Sequence, residues 1–164
     1  MFDIDPEILH TWQVMSNVLC GEYPNTKEGD PSKIHALKDA GISVFIDLTH
    51  PHDNLTSYAP YLSAFSGELI KYYACPIRDQ GVVSTDIYAT LAHLILSAVD
   101  EYQEKVYLHC WGGMGRTATV MACVLLLDEY HGLGSVPHYT ALINKARENT
   151  SKGHIHVPND EQLD

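Results

Sequence analysis

The stretch HCWGGMGRT, residues 109–117, joins two apolar segments of the chain. The segment before it, KVYLHC at 105–110, is a short run typical of a buried strand. The segment after Gly115 is apolar on nearly every side of a helix, which predicts a central, buried helix. A strand, a glycine-rich turn and a buried helix in this order are typical of an α/β protein.

Strands and helices alternate on both sides of this unit. A helix is predicted to begin at Asp30-Pro31 and to end at Gly41, because Asp favours the N-cap, Pro the first turn and Gly the C-terminus. Ser84 is predicted to cap another helix. Further strands are predicted at 16–24, 42–48 and 68–77, and further helices near 56–65 and 137–149. We therefore predict an α/β fold with a mainly parallel central sheet flanked by helices, which binds ligands at the carboxyl ends of its strands.

Length and charge narrow the function. The 164 residues are enough for one domain with its own core. A net charge of −11 argues against nucleic-acid and anionic-membrane partners, because their phosphates would be repelled. The first ten residues do not resemble a secretory signal, and the longest apolar stretch, 118–127, is too short to span a bilayer. Four scattered cysteines without a CxxC pair indicate a reducing compartment, so we expect a cytoplasmic protein.

The glycine-rich loop itself has the composition of an anion-binding site. Gly112, Gly113 and Gly115 allow backbone N–H groups to face a phosphate, and the following helix N-terminus favours negative charge. Arg116 can donate two hydrogen bonds to phosphate oxygens. In this field Cys110 would be a thiolate near neutral pH, and therefore a nucleophile directed at phosphorus.

Two nucleotide-binding alternatives fail on residue type. A Walker loop requires GKS or GKT where this loop has GRT, and the dinucleotide pattern GxGxxG is absent. The remaining alternative is purely structural, with Cys110 a buried core residue and the glycines an ordinary turn. That alternative requires the cysteine, the glycines and Arg116 to coincide by chance, so we favour the phosphate site.

These residues match the signature HCxxGxxR[ST], and the chain resembles the cysteine-based protein tyrosine phosphatases. The resemblance extends over roughly residues 12–162 and is to the small dual-specificity-type branch, especially bacterial and cyclin-dependent-kinase-associated-phosphatase-like members. Weaker supporting matches are GEYP (21–24), FIDLT (45–49), YAPYL (58–62), PIRDQG (76–81) and PNDEQ (158–162). The resemblance implies a three-layer sandwich and a single phosphatase catalytic domain over 1–164. A domain cut short at its C-terminal helix is the alternative, since the family usually continues into a helix there.

The resemblance also implies a role for each loop residue. Cys110 attacks the phosphoryl group and forms a phosphocysteine, and Thr117 carries the hydroxyl that stabilises the thiolate as it leaves. His109 orders the loop and supports the thiolate. Arg116 and the loop amides hold the phosphoryl oxygens. The residues expected to bind substrate are Trp111, Gly112, Gly113, Met114, Gly115 and Arg116.

The leaving oxygen requires a general acid. Asp79 in PIRDQG follows a predicted strand at about the position where the family carries its acid, and we expect it to act in this step. Asp86 is the alternative, although its place just after Ser84 is typical of a first helical turn. Gln162 in PNDEQ matches a glutamine with which related enzymes place the hydrolytic water.

The expected activity is hydrolysis of phosphotyrosine, and also of phosphoserine or phosphothreonine, in a protein or peptide. No metal or cofactor is expected, since a phosphocysteine mechanism needs none and HPHD (50–53) and HIH (154–156) lack a third ligand at a motif-defining distance. The alternatives are a phosphatase for a non-protein phosphate, such as an inositol lipid or an RNA 5′ end, and a phosphate-binding module. Trp111 and Met114 stand where phosphoinositide-directed relatives tend to carry lysine, which disfavours the lipid alternative.

Overall fold

One five-stranded sheet forms the centre of the molecule. The computed structural model describes residues 2–25, 30–63, 65, 69–79, 81, 83–128 and 136–147. The strands are β1 (Thr11–Met15), β2 (Val18–Gly21), β3 (Val44–Asp47), β4 (Lys71–Ala74) and β5 (Val106–His109). Their order across the sheet is β1-β2-β5-β3-β4. β1 pairs antiparallel with β2, and every other pair is parallel. The prediction of a mainly parallel sheet is confirmed.

Helices connect these strands in the described part of the chain. They are α1 (Ser32–Asp39), α2 (Ala59–Leu62), α3 (Thr85–Leu96), α4 (Gly115–Leu127) and α5 (Val136–Arg147). A 3₁₀ turn covers Pro51–Asp53, and a π-helical segment, Ser97–Glu101, continues α3. The alternation of strands and helices is therefore the one that the sequence predicts.

The helix boundaries follow their local signals. The Asp30 carboxylate accepts a hydrogen bond from the Ser32 amide (3.0 Å) just before α1, and Gly41 after α1 has φ +91°, in the region that favours glycine. The Ser84 hydroxyl caps α3 by accepting from the Ile87 amide. Ser84 thus caps α3 as predicted, whereas α1 begins one residue later than predicted, with Pro31 in place of Asp30 at the N-cap and no side-chain cap.

Both faces of the sheet are covered, which makes three layers. On one face α3, α4 and α5 pack on a core that includes Ile46, Leu108 and Val120. On the other face α1 and α2 cover a second core, which includes Leu37 and Phe45. The predicted helix–sheet–helix sandwich is confirmed.

The edge strand β1 is the element that the sequence did not predict. Its five residues, TWQVM, alternate polar and apolar over only the first four positions, which is the shortest pattern typical of a strand. The strand predicted at 16–24 begins later, because Asn17 lies in a turn with φ +65°. The runs predicted at 42–48 and 68–77 also form shorter strands, since an apolar run reports burial and not the length of a hydrogen-bonded ladder.

The sheet places the glycine-rich loop at its centre. β5 lies between β2 and β3, and its last residue, His109, is in register with Gly21 of β2 and Asp47 of β3. Cys110 follows directly, and α4 leaves the loop at Gly115. The loop therefore lies where three parallel strands end, as predicted for a ligand site.

Candidate active site

The glycine-rich loop (residues 110–115) connects the central strand to a buried helix. Cys110 lies at the start of the loop and is only 2% exposed, beneath the N-terminus of α4. No side chain caps that N-terminus. An uncapped helix N-terminus carries partial positive charge from its first amides, so this end of the loop favours an anion.

Two carbonyl groups of the loop are bound by the strands beside it. The Trp111 carbonyl accepts a hydrogen bond from the Tyr23 amide (2.9 Å), which follows β2. The Gly113 carbonyl accepts from Trp12 Nε1 (2.8 Å) on β1. The edge strand β1 therefore helps to hold the loop, and Trp12 and Tyr23 are positioning residues that the sequence did not reveal.

These bonds also orient the amides of the loop. In a trans peptide the N–H points opposite to the carbonyl of the preceding residue. With the carbonyls of Trp111 and Gly113 directed toward β1 and β2, the amides of Gly112 and Met114 point away from these strands. Outward amides are the arrangement that a phosphate-binding loop requires.

Gly113 is the loop glycine whose backbone excludes other residues. Its φ is +77°, and a Cβ built there would lie 2.5 Å from the carbonyl carbon of Gly21. Because that neighbour is backbone, it cannot move aside as a side chain could. Close packing of the loop on β2 thus accounts for Gly113, whereas the other two loop glycines are absent from the positive-φ residues in the described part of the chain.

His109 is fully buried beneath the loop. Its Nδ1 lies 3.1 Å from the Cys110 carbonyl, and its Nε2 lies 2.5 Å from the Tyr58 hydroxyl. Burial lowers the pKa of His109 below its ordinary value, against an opposing effect of Asp47, so the imidazole is neutral near pH 7. The contact with the Cys110 carbonyl supports the prediction that His109 orders the loop.

Arg116 is buried in the first turn of α4 and is held from outside the helix. Its Nη1 donates to Asp53 Oδ2 (2.7 Å) and to the Ile77 carbonyl (2.8 Å). Burial alone would raise the pKa of Asp53, but hydrogen bonds from Arg116 and from the His50 amide outweigh it and lower the pKa below its ordinary value. Asp53 is therefore an ionised partner that fixes the guanidinium.

The sequence did not single out Asp53. It lies in HPHD, where the histidines lack a third metal ligand at a motif-defining distance and the aspartate had no signal of its own. His50 and His52 instead stack on each other at 4.9 Å, and the Asp53 carboxylate accepts from the His50 amide in the turn that carries it. No group of three or more metal-ligating side chains occurs in the described residues.

The carboxylate of Asp79 lies beside Arg116. Its Oδ1 is 3.7 Å from Arg116 Nε, and its side chain is 62% exposed. Asp86 lies instead in the first turn of α3, where it is exposed. The structure thus brings Asp79 to the site, which is where a general acid would have to be, and supports it over Asp86.

Two buried polar atoms of the site have no hydrogen-bond partner among the described residues. They are Thr117 Oγ1 and Arg116 Nε. Buried polar atoms are normally paired, so an unpaired one calls for an explanation. Both belong to residues that the signature assigns to the phosphoryl group or to the leaving thiolate, and a bound phosphoryl intermediate would supply partners.

Trp111 and Met114 occupy the variable positions of the loop. The Trp111 side chain is 53% exposed and does not pack beneath the loop, while Met114 is half-buried. An exposed indole adjacent to Cys110 is available to a substrate. Gln162 and the HIH motif lie outside the described residues.

Comparison with known proteins identifies the family to which the chain belongs. A family model described as "Swiss Army Knife protein, DSP-PTPase phosphatase domain" (PTP-SAK) matches residues 9–157. The chain therefore belongs to the dual-specificity-type branch of the cysteine-based protein tyrosine phosphatases, as the signature predicted.

Its relatives differ in the substrates for which they are named. The chain is 32% identical over 117 residues to "Putative tyrosine phosphatase 197R" of Invertebrate iridescent virus 6, which covers 68% of the chain and 40% of that protein. It is 28% identical over 114 residues to "Phosphatidylglycerophosphate phosphatase PTPMT2" of Arabidopsis thaliana, which covers 70% of the chain and 46% of that protein. The chain thus spans less than half the length of these two relatives.

Solved structures share the fold at low sequence identity. Tk-PTP in its active form superposes with a TM-score of 0.69 at 18% identity, covering 94% of this chain and 91% of that one. PTPMT1 in complex with PI(5)P gives 0.69 at 17% identity, covering 93% and 89%. Kinase associated phosphatase (KAP) gives 0.68 at 18%, covering 94% and 89%. Among the described residues, no helix combines the length and the apolarity needed to cross a membrane.

Asp53→Asn should destabilise the fold, because it removes the buried counter-ion of Arg116 and leaves only the exposed carboxylate of Asp79, 3.7 Å from Nε. We expect the free energy of unfolding at pH 7 to fall by about 3 kcal/mol. Because the pKa of Asp53 is lowered on folding, the wild type should lose this advantage as the pH falls below about 4, the ordinary pKa of Asp. The measurement is urea denaturation of both proteins at pH 7 and below pH 4.

The matched control is Asp39→Asn, which removes the same charge from an exposed site at the end of α1. That variant should unfold like the wild type at pH 7. Equal stabilities of Asp53→Asn and Asp39→Asn would show that the Arg116–Asp53 pair contributes nothing to the fold.

Proposed function

We propose that the chain is the catalytic domain of a metal-independent phosphomonoester hydrolase of the protein tyrosine and dual-specificity type. The observation that carries the proposal is that Cys110 begins and Arg116 directly follows one loop, whose carbonyls bind the neighbouring strands and whose amides point away from them. A buried thiol, a fixed guanidinium and outward amides together suit a bound phosphoryl group. A cysteine and an arginine with a purely structural role in a protein core would not require outward amides between them.

The proposed reaction has two steps. The Cys110 thiolate attacks phosphorus, an S–P bond forms, and the P–O bond to the leaving group breaks as Asp79 donates its proton to the leaving oxygen. Water then attacks phosphorus, the S–P bond breaks, and the Asp79 carboxylate takes the proton of the water. The Thr117 hydroxyl donates a hydrogen bond to the departing thiolate, and Arg116 holds the phosphoryl oxygens in both steps. The products are an alcohol or phenol and inorganic phosphate.

Gln162 stays a prediction for the second step. Gln162 lies outside the described residues, so its assignment to the hydrolytic water rests on the matching motif PNDEQ. The cytoplasmic location likewise remains a prediction of the sequence.

A phosphorylated protein or peptide is the substrate class that we propose. The exposed Trp111 offers an aromatic face beside Cys110, and phosphotyrosine has an aromatic leaving group that can pack on it. A net charge of −11 disfavours approach to an anionic lipid surface. The 32% identical relative is also named for tyrosine phosphatase activity.

A lipid phosphatase is the second candidate. The plant relative is named for phosphatidylglycerophosphate, and the fold is shared with a PTPMT1 structure that holds PI(5)P. A lipid headgroup phosphate would require the same Cys110 and Arg116, so the chemistry does not separate the two candidates. The exposed Trp111 beside the loop and the net charge of −11 favour the peptide substrate.

The first test is turnover of an aryl phosphate in excess chelator. The wild type should hydrolyse it, since each step uses side chains of the chain and water. Cys110→Ser should have no measurable turnover yet still bind vanadate, a phosphate mimic, because the amides and Arg116 remain. Turnover by Cys110→Ser would overturn the nucleophile assignment, and vanadate binding without wild-type turnover would indicate a phosphate-binding module.

A substrate panel separates the two candidates. We expect kcat/KM to be at least about tenfold higher for phosphotyrosine peptides than for phosphoserine peptides or PI(5)P vesicles, a preference of about 1.4 kcal/mol in transition-state binding. Cys110→Ser provides the blank for every substrate. A higher kcat/KM on the vesicles would make the lipid phosphatase the correct assignment.

Asp79→Asn tests the general acid. With a poor leaving group such as phenol, kcat/KM, which reports the first step alone, should fall by about 100-fold or more, because the departing oxygen is no longer protonated. With an activated leaving group the fall should be much smaller. Asp86→Asn is the matched control and should leave both rates near the wild type. The reverse result, with Asp86→Asn showing the leaving-group dependence, would transfer the acid role to Asp86.

A further inference from the structure

A buried tyrosine contacts the histidine that lies beneath the glycine-rich loop. Tyr58 immediately precedes α2 and is fully buried, 51 positions before His109 in the chain. Its hydroxyl oxygen lies 2.5 Å from His109 Nε2, and the opposite ring nitrogen, Nδ1, lies 3.1 Å from the Cys110 carbonyl. A single imidazole thus connects Tyr58 to the backbone of the proposed nucleophile.

The chemistry of these atoms determines where the protons are. A carbonyl oxygen can only accept, so the contact with Cys110 is a hydrogen bond only if His109 Nδ1 carries the hydrogen. A neutral imidazole has one N–H, which makes Nε2 an acceptor that requires a donor. The Tyr58 hydroxyl can donate, and burial raises the pKa of Tyr58 well above its ordinary value, so the phenol keeps its proton.

Asp47 does not take the place of Tyr58. Its Oδ1 lies 3.9 Å from His109 Nε2, which is too far for a hydrogen bond. Its oxygens already accept from the Thr49 amide and hydroxyl and from the Tyr72 hydroxyl. An ionised carboxylate also has no proton to donate, so it favours the opposite tautomer, with the hydrogen on Nε2.

Other tyrosines surround the imidazole without donating to it. The ring of Tyr107 stacks on His109, but its hydroxyl donates to the Glu22 carbonyl. The ring of Tyr23 contacts His109 edge-on, but its hydroxyl donates to the Thr56 carbonyl. Within the described residues, Tyr58 is therefore the tyrosine whose hydroxyl reaches the imidazole.

We propose that Tyr58 is a positioning residue of the active site: its hydroxyl holds His109 in the Nδ1–H tautomer, and His109 in turn holds the Cys110 carbonyl. The inference rests on the proposed function, since it concerns the loop that carries the nucleophile. It assigns a polar role to a tyrosine that would otherwise be one more aromatic residue of the core.

The consequence for the loop follows from peptide geometry. A fixed Cys110 carbonyl directs the next amide, that of Trp111, to the opposite side. Without the Tyr58 hydroxyl, Nε2 would take the hydrogen and face Asp47, and the Nδ1 lone pair would face the Cys110 carbonyl. Two acceptors would then repel each other at the first peptide of the loop, which would turn away from its phosphate-binding conformation.

The test is Tyr58→Phe, which removes the hydroxyl and keeps the ring. Long-range ¹H–¹⁵N spectra of the imidazoles report the tautomer of His109, assigned by comparison with a His109→Asn variant. We expect the Nδ1–H form in the wild type and a shift toward Nε2–H in Tyr58→Phe. The kcat for an aryl phosphate should fall roughly tenfold with a smaller change in KM, as for the loss of one buried hydrogen bond that acts in the transition state.

Tyr107→Phe is the matched control. It removes a buried tyrosine hydroxyl whose ring also packs on His109, but whose hydrogen bond goes elsewhere. This variant should keep the Nδ1–H tautomer, and the tautomer is the quantity compared, because the Glu22 carbonyl belongs to the peptide whose N–H holds the Trp111 carbonyl. Thermal unfolding of both variants checks that the comparison is between folded proteins.

Three outcomes would overturn the inference: an Nε2–H tautomer in the wild type, a Tyr58→Phe variant that retains the Nδ1–H form, or equal tautomer shifts in Tyr58→Phe and Tyr107→Phe. If the wild type lacks turnover, the proposed function fails, and the tautomer measurement still decides whether Tyr58 positions His109. The wild-type spectrum alone provides a test even if Tyr58→Phe does not fold.

Discussion

Hydrogen bonds to three carbonyl groups of the glycine-rich loop are the constraint on which the site depends. The carbonyls of Cys110, Trp111 and Gly113 accept from His109, from the amide that follows β2 and from the indole on β1. A peptide whose carbonyl is held has its N–H directed to the other side. The backbone is thereby shaped for an anion before any anion binds, so little reorganisation is needed when a charged group arrives.

The buried arginine imposes a second requirement on the fold. A guanidinium removed from water needs charge and hydrogen bonds in compensation. Asp53 and the Ile77 carbonyl supply them from the segments that follow β3 and β4. Arg116 Nε and Thr117 Oγ1 nevertheless lack hydrogen-bond partners, although Asp79 Oδ1 lies 3.7 Å from Nε, and they are two of the three such side-chain atoms in the described residues. Unpaired buried groups concentrated at one site are expected where a ligand completes the hydrogen bonding.

Several features could be predicted from the sequence because their signals are local. Gly41 and Ser84 mark helix ends by their own backbone and side-chain preferences, and the loop signature brings its functional residues together within nine positions. Asp79 required the family resemblance in addition to its strand context. Asp53 and Tyr58 could not be predicted, because an aspartate in a turn and a tyrosine near a short helix have the same local appearance whether or not they contact the site.

The sequence by itself determined the alternating α/β order, the place of the glycine-rich loop between a strand and a buried helix, and the chemical class of the loop residues. These follow from the period of apolar residues and from motifs that lie within a few positions of each other. The tertiary structure alone decided which distant residues hold the loop. Trp12, Asp53 and Tyr58 come from three separate segments, and their roles exist only because the parallel strands end, and the antiparallel strand β1 begins, at one edge of the sheet.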